Sequence, residues 1–161
     1  MVKMAEMAEA YSSLGFADVK TYLQSGNVIF SNNISDEAGL VKTIQDGLKK
    51  KLDLDVTVFI RNPKQLETVV AKNPFKQEKM IYITFLKTKP DNIPTEKLTS
   101  VKGPGEEFRI IDREVFLYLP NGSGRTKLSN NYLEKVLAVP ATTRNLNTVT
   151  ALAELSGKNS R

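Results

Sequence analysis

One order of local periodicities occurs twice along this chain, and that order limits its fold more than any other property. Residues 3–14 place Met4, Met7, Ala8, Tyr11 and Leu14 at helical spacing and end on Gly15, expected as the C-cap. Two β-rich runs follow, Val19–Leu23 and Val28–Phe30, joined by "QSGN". There Gly26 supplies positive φ, and Ser25 or Asn27 bonds the local backbone. A second helix is predicted over Asp36–Leu52, with Leu40, Val41, Ile44, Leu48 and Leu52 on one face and Ser35 or Asp36 as N-cap. "VTVFI" (56–60) reads as a strand, and Asn62-Pro63 open a short helix to Ala71.

The second half begins with "MIYITFL" (80–86), a strand apolar enough to sit at a sheet centre. A proline-punctuated connection leads to a brief helix near 94–100. Phe108–Ile111 and Val115–Leu119 read as a hairpin turning at "DRE". After "PNGSGRTK" a helix runs from about Ser129 to Ala138 and ends before Pro140, and a last helix starts near Asn147.

Each half therefore contains helix, hairpin, helix, the centre of a split βαβ unit. The expectation is an α+β protein of two ferredoxin-like halves, residues 1–75 and 76–161, the second with an extra C-terminal helix. The second half has a strand ahead of its first helix and the first half has none. Only the order repeats; no residue-level repeat accompanies it. A first half short of one strand should show a smaller sheet, or relieve its open edge by self-association into a homodimer.

Composition removes whole classes of chemistry. With no histidine and no cysteine, the chain has no imidazole base, no thiolate nucleophile, no disulfide and no zinc site of the usual N/S kind. Catalysis would have to use Asp, Glu, Lys, Tyr, Ser or Thr, with Mg²⁺ arriving on the substrate, and no resident cofactor or metal is expected. No apolar run approaches the ~18 residues of a membrane span. "MVKMAEMAEAY" lacks the apolar core of a signal peptide, so cytoplasm is the expected compartment and no membrane partner is expected.

The net charge of +5 is concentrated at one end. From Asn121 onward Arg125, Lys127, Lys135, Arg144, Lys158 and Arg161 face only Glu134 and Glu154, a net +4, whereas the first 120 residues carry 17 basic and 16 acidic groups. Such an excess attracts phosphate or acidic surfaces, and equally describes a soluble face with a frayed tail.

Two segments within that quarter have the makings of an anion site. In "TTRNLNTV", Asn145 or Asn147 as N-cap would leave free helix amides beside Thr142, Thr143 and Arg144. The bland alternative has Arg144 pairing internally with a carboxylate or with backbone carbonyls. In "PNGSGRTKLS", Gly122 and Gly124 let amides turn inward ahead of a helix, with Arg125, Thr126 and Lys127 adding charge and a hydroxyl. A P-loop would need glycine where Leu119 stands and lysine in place of Arg125, so triphosphate binding by that route is not expected. Here the bland alternative is a connector whose glycines only permit the turn. If both segments serve one ligand, Arg125 and Arg144 face a shared cavity. Tyr22 and Phe30 could stack bases, yet no RNP1-type string occurs.

Three stretches, "GFADVKTYLQSGNVIF", "GRTKLSNNYLEKVL" and "VPATTRNLNTVTALAEL", resemble in order and separation the bacterial family catalogued as domain of unknown function 1697. The resemblance spans nearly the whole chain. It implies a cytoplasmic α+β protein with no established activity. Members of that family usually begin with an apolar strand and a Gly-containing loop ahead of the helix that starts here near Lys3. Either the start lies upstream, or this chain manages without that strand.

The leading expectation is binding of an anionic ligand, nucleic acid or a phosphorylated small molecule, through the basic C-terminal half. Second comes an enzyme acting on a phosphorylated metabolite, with Arg125, Lys127 and Arg144 as clamps. Third is a protein-interaction module.

Overall fold

Asp36 shows how literally the local signals are obeyed. Its carboxylate accepts from the Gly39 N–H at 3.1 Å and starts α2 (Glu37–Leu52), which runs 16 residues until Asp53 takes the left-handed conformation at φ 51°. Leu40, Val41, Ile44 and Leu48 form its buried face, and Lys49, Lys50 and Lys51 in the last turn complement the helix dipole. This is a computed structural model describing residues 2–23 and 26–159, Asn159 by its backbone alone. Among the described residues it is an α+β fold with six helices, a two-stranded and a four-stranded antiparallel sheet.

The chain divides into two compact units, residues 1–66 with 151–161, and residues 67–150. The first contains α1 (Met4–Ser13), β1 (Ala17–Tyr22), β2 (Asn27–Ser31) and α2. Leu14 is the C-cap of α1, and Gly15, one residue beyond, holds φ 93°, so the glycine follows the cap rather than being it. β1 and β2 pair antiparallel, with a bulge between Ala17 and Lys20 where Asp18 has φ 52°. Gly26 has the expected positive φ of 79°, whereas Gln24 and Ser25 of the expected turn lie outside the described residues.

Tyr11, Phe16 and Phe30 pack with ring centroids 4.7–6.1 Å apart over Met7, Leu40, Ile44 and Leu48. Burial pushes the Tyr11 phenol up to about 12. Mid-helix Gly47 costs α2 about 1 kcal/mol against alanine. Its reason is a close approach: a Cβ there would stand 2.7 Å from Leu14 Cδ2.

Residues 56–60 were expected as a strand, and they form none. Val58 and Ile60 pack against the first unit's core, as Val28 and Phe30 do. Among the described residues, however, no backbone–backbone hydrogen bond reaches residues 55–60. The Val58 N–H instead donates to Gln45 Oε1 at 2.9 Å. β-propensity alone does not make a strand without a neighbour to pair with. The helix that follows, α3 (Pro63–Ala71), starts where expected, and a reciprocal cap opens it: the Gln65 N–H donates to Asn62 Oδ1 and the Asn62 N–H to Gln65 Oε1, both at 2.8 Å.

The second unit contains β3 (Ile81–Leu86), α4 (Thr95–Val101), β4 (Glu107–Ile111), β5 (Glu114–Tyr118), α5 (Asn130–Leu137) and β6 (Ala141–Asn145), in that chain order. Its sheet runs β4-β5-β3-β6 with every neighbour antiparallel. β6 corrects the expected order: residues 141–145 are not a turn before the last helix but the fourth strand, and α6 (Leu146–Asn159) follows directly. Leu86, Val115 and Leu117 on one face of the sheet pack with Leu98 of α4 and Leu133 and Leu137 of α5. Ile81, Ile83, Phe85 and Phe116, at the alternate positions, are also removed from water, so β3 is buried on both faces.

A polar edge strand and a glycine loop

Strand pairing sorts the residues of "ATTRN" onto two faces. Ala141, Thr143 and Asn145 stand opposite Leu86, Thr84 and Tyr82, while Thr142 and Arg144 stand opposite Phe85 and Ile83. Thr143 and Arg144 therefore leave the sheet in opposite directions.

On the α5 side a polar chain closes between three elements. Thr143 Oγ1 donates to Asn130 Oδ1 at 2.8 Å and lies 2.7 Å from Thr84 Oγ1. The one hydroxyl hydrogen of Thr143 is committed to Asn130, so in the Thr84–Thr143 bond Thr84 is the donor. The Asn130 amide donates to the Ala141 carbonyl at 2.9 Å and to Glu134 Oε1 at 3.1 Å, which uses both of its hydrogens. Thr84 is fully buried, and this chain satisfies it. The cluster ties the N-terminus of α5 to β6 and β6 to β3. Thr84, Asn130 and Glu134 were not anticipated. The available signal was the single threonine inside the apolar run "IYITFL", since a buried polar group needs partners.

On the other face the Arg144 guanidinium turns back on its own strand. Nη1 donates to Thr142 Oγ1 at 2.7 Å and to the Thr143 carbonyl at 3.0 Å. Burial holds its pKa below the usual arginine value. Asn145 is the residue that caps α6, its Oδ1 accepting from the Asn147 N–H at 2.7 Å.

Arg125, Thr126 and Lys127 occupy a different segment, the loop between β5 and α5. Gly122 turns at φ 90°, its N–H donating to the Leu119 carbonyl at 2.9 Å. Thr126 Oγ1 accepts from the Leu128 N–H at 3.0 Å, and the buried Leu128 anchors the loop. Ser129 then caps α5 by accepting from the Tyr132 N–H at 3.2 Å. Between these fixed points Arg125 and Lys127 are exposed, and Gly124 has open space around it. Thr126 thus shapes the turn, and the two cations flank it in solvent just ahead of a helix N-terminus.

This chain belongs to the family described as "Protein of unknown function (DUF1697)", whose model matches residues 1–116. Of the three stretches that carried the resemblance, the first lies inside that match and the other two beyond it. Among solved structures, a conserved bacterial protein, SP0830 from Streptococcus pneumoniae, is similar at 18% identity with a TM-score of 0.59. That likeness covers 98% of this chain and 90% of that one, and it is a likeness of fold. No curated protein matches. Among the described residues, no helix is long and apolar enough to cross a membrane.

Proposed function

We propose that the second unit is a ferredoxin-like (split βαβ) domain that binds a phosphate-bearing ligand, nucleic acid or a phosphorylated small molecule, through the loop ahead of α5. The β4-β5-β3-β6 order with α4 and α5 as crossovers supports the fold reading. The observation that carries the ligand reading is the exposure of Arg125 and Lys127 on a glycine loop pinned at both ends, beside the positive end of α5. Thr142, Thr143, Arg144 and Asn145 support that loop by holding β6 in place, and Arg144 adds positive potential from within. Thr126 keeps the two cations on either side of the turn.

A fluorescence-anisotropy titration of a DNA duplex over a salt series tests this. Contact with about three to five phosphates gives a log K against log salt slope of roughly −3 to −4. Arg125→Ala lowers its magnitude by about one, uniformly across sequences. Absence of duplex binding at low salt, together with saturable stabilisation by a phosphorylated small molecule that Arg125→Ala abolishes, selects the small-molecule ligand. Failure of both probes removes the reading.

A further inference from the structure

We infer that the open edge of β4 pairs antiparallel with β4 of a second copy of this chain, about a two-fold axis at Phe108. The inference is independent of the anion-binding loop. It rests on which main-chain groups that edge leaves open and on where its charges stand.

β4 ends the sheet, with β5 as its one neighbouring strand among the described residues. Two hydrogen bonds at the ends of the β3–β5 ladder fix the direction of each main-chain group. The Leu119 N–H donates to the Met80 carbonyl and the Leu86 N–H to the Arg113 carbonyl, both at 2.9 Å. Bonded positions alternate in an antiparallel pair, so Val115 and Leu117 turn to β3, while Glu114, Phe116 and Tyr118 turn to β4. Their partners Ile111, Arg109 and Glu107 turn inward. That leaves the N–H and C=O of Phe108 and Ile110 pointing away from the sheet, and among the described residues no hydrogen bond from outside it reaches them.

Glu107 and Arg109 share one face of β4, and both are exposed. Among the described residues neither side chain has a hydrogen bond or an ion pair. Charges of one sign on an edge keep other strands away. Opposite signs two residues apart instead select a register. With the axis at Arg109, two guanidinium groups would face each other across the closer, non-bonded pair. With the axis at Ile110, Phe108 would pair with Asp112, which at φ 56° has left the strand. With the axis at Phe108, Glu107 stands opposite the other copy's Arg109 on both sides, and all four charges are matched. An isologous contact of this kind is closed, so it stops at two copies.

In that register the two Phe108 residues exchange a pair of main-chain bonds, and each Ile110 N–H reaches the other copy's Glu106 carbonyl. The Glu106 N–H is already given to the Gly103 carbonyl at 3.1 Å, so the ladder ends there. A short ladder with solvent-exposed charge pairs makes a reversible, salt-sensitive dimer.

Sedimentation equilibrium of the whole chain at low salt, up to about 1 mM, is the test, with amide hydrogen exchange locating the contact. The unaltered chain should dimerise, and its Phe108 and Ile110 amides should slow as concentration rises. Glu107→Arg or Arg109→Glu sets like charges opposite each other and should weaken the dimer by about tenfold or more. Mixed in equal amounts, the two variants should pair with each other as the unaltered chain pairs with itself, which also shows that each is folded. A chain carrying both exchanges should recover the original affinity. A chain that stays monomeric at about 1 mM, a dimer indifferent to the single exchanges, a mixture that does not recover, or protection away from Phe108 and Ile110 overturns the inference.

Discussion

The two units follow the same order of helix, hairpin and helix, yet among the described residues the first has a two-stranded sheet and the second a four-stranded one. In the second, β3 gives β5 and β6 a common neighbour, and a polar sequence such as "TTRN" becomes a strand because that neighbour exists. In the first, the strongly β-prone "VTVFI" has no ladder to join and stays unpaired among the described residues. The comparison shows strand formation to be a property of pairs, decided by what lies alongside.

The sharpest way to break that comparison is to cut into each unit at its corresponding place. Ile83→Ala, in the fully buried centre of β3, should destabilise by about 2–5 kcal/mol. Val58→Ala, on the half-buried unpaired segment, should cost less than about 1 kcal/mol. Urea denaturation of the two variants checks this, and equal losses would mean that residues 55–60 are as firmly held as β3.

A smaller effect separates the units by pH. The Tyr11 phenol, raised from its ordinary value of 10.0 to about 12 by burial in the first unit's aromatic cluster, holds its proton more tightly folded than unfolded. Its contribution is complete below pH 10 and is lost as pH rises from 10 towards 12, about 2–3 kcal/mol in all. Tyr11→Phe should remove that alkaline loss, as thermal melts between pH 9 and 12 would register. An unchanged alkaline profile in the variant would place the sensitivity elsewhere.

The smallest effect should be the same in both units. Asp36→Ala and Ser129→Ala each delete an N-cap accepting at 3.1–3.2 Å, and each should cost about 1 kcal/mol by chemical denaturation. A large inequality would show that α2 and α5, alike in position, are not alike in support.

Much of this was readable from the residues. The core face of α2, the start of α3 at Asn62-Pro63, both hairpins and the apolar β3 follow from spacing and turn chemistry that act within a few residues. The two misreadings concern the segments whose state is set from far along the chain. Residues 141–145 read as a polar turn because Thr, Arg and Asn favour local backbone bonds, and β3, some sixty residues earlier, overrides that preference. Residues 56–60 read as a strand for the opposite reason. At the candidate site, an internal backbone partner for Arg144 and a capping role for Asn145 were among the readings the residues allowed. The bonds that join Thr143 to Thr84 and to Asn130 were not legible, because they span 59 and 13 positions.

The tight approach of Gly47 to Leu14 has a consequence for inheritance. A methyl group at position 47 would meet both Leu14 methyls at 2.7–2.8 Å, so it can enter only if position 14 shrinks or its side chain swings away. A change at position 47 is therefore felt first at position 14. Among descendants of this chain, the pair should drift together, glycine with leucine or a larger residue with a smaller one. The crossing of α1 and α2 would persist through the exchange as a shared sum of volumes, with no single conserved letter marking it.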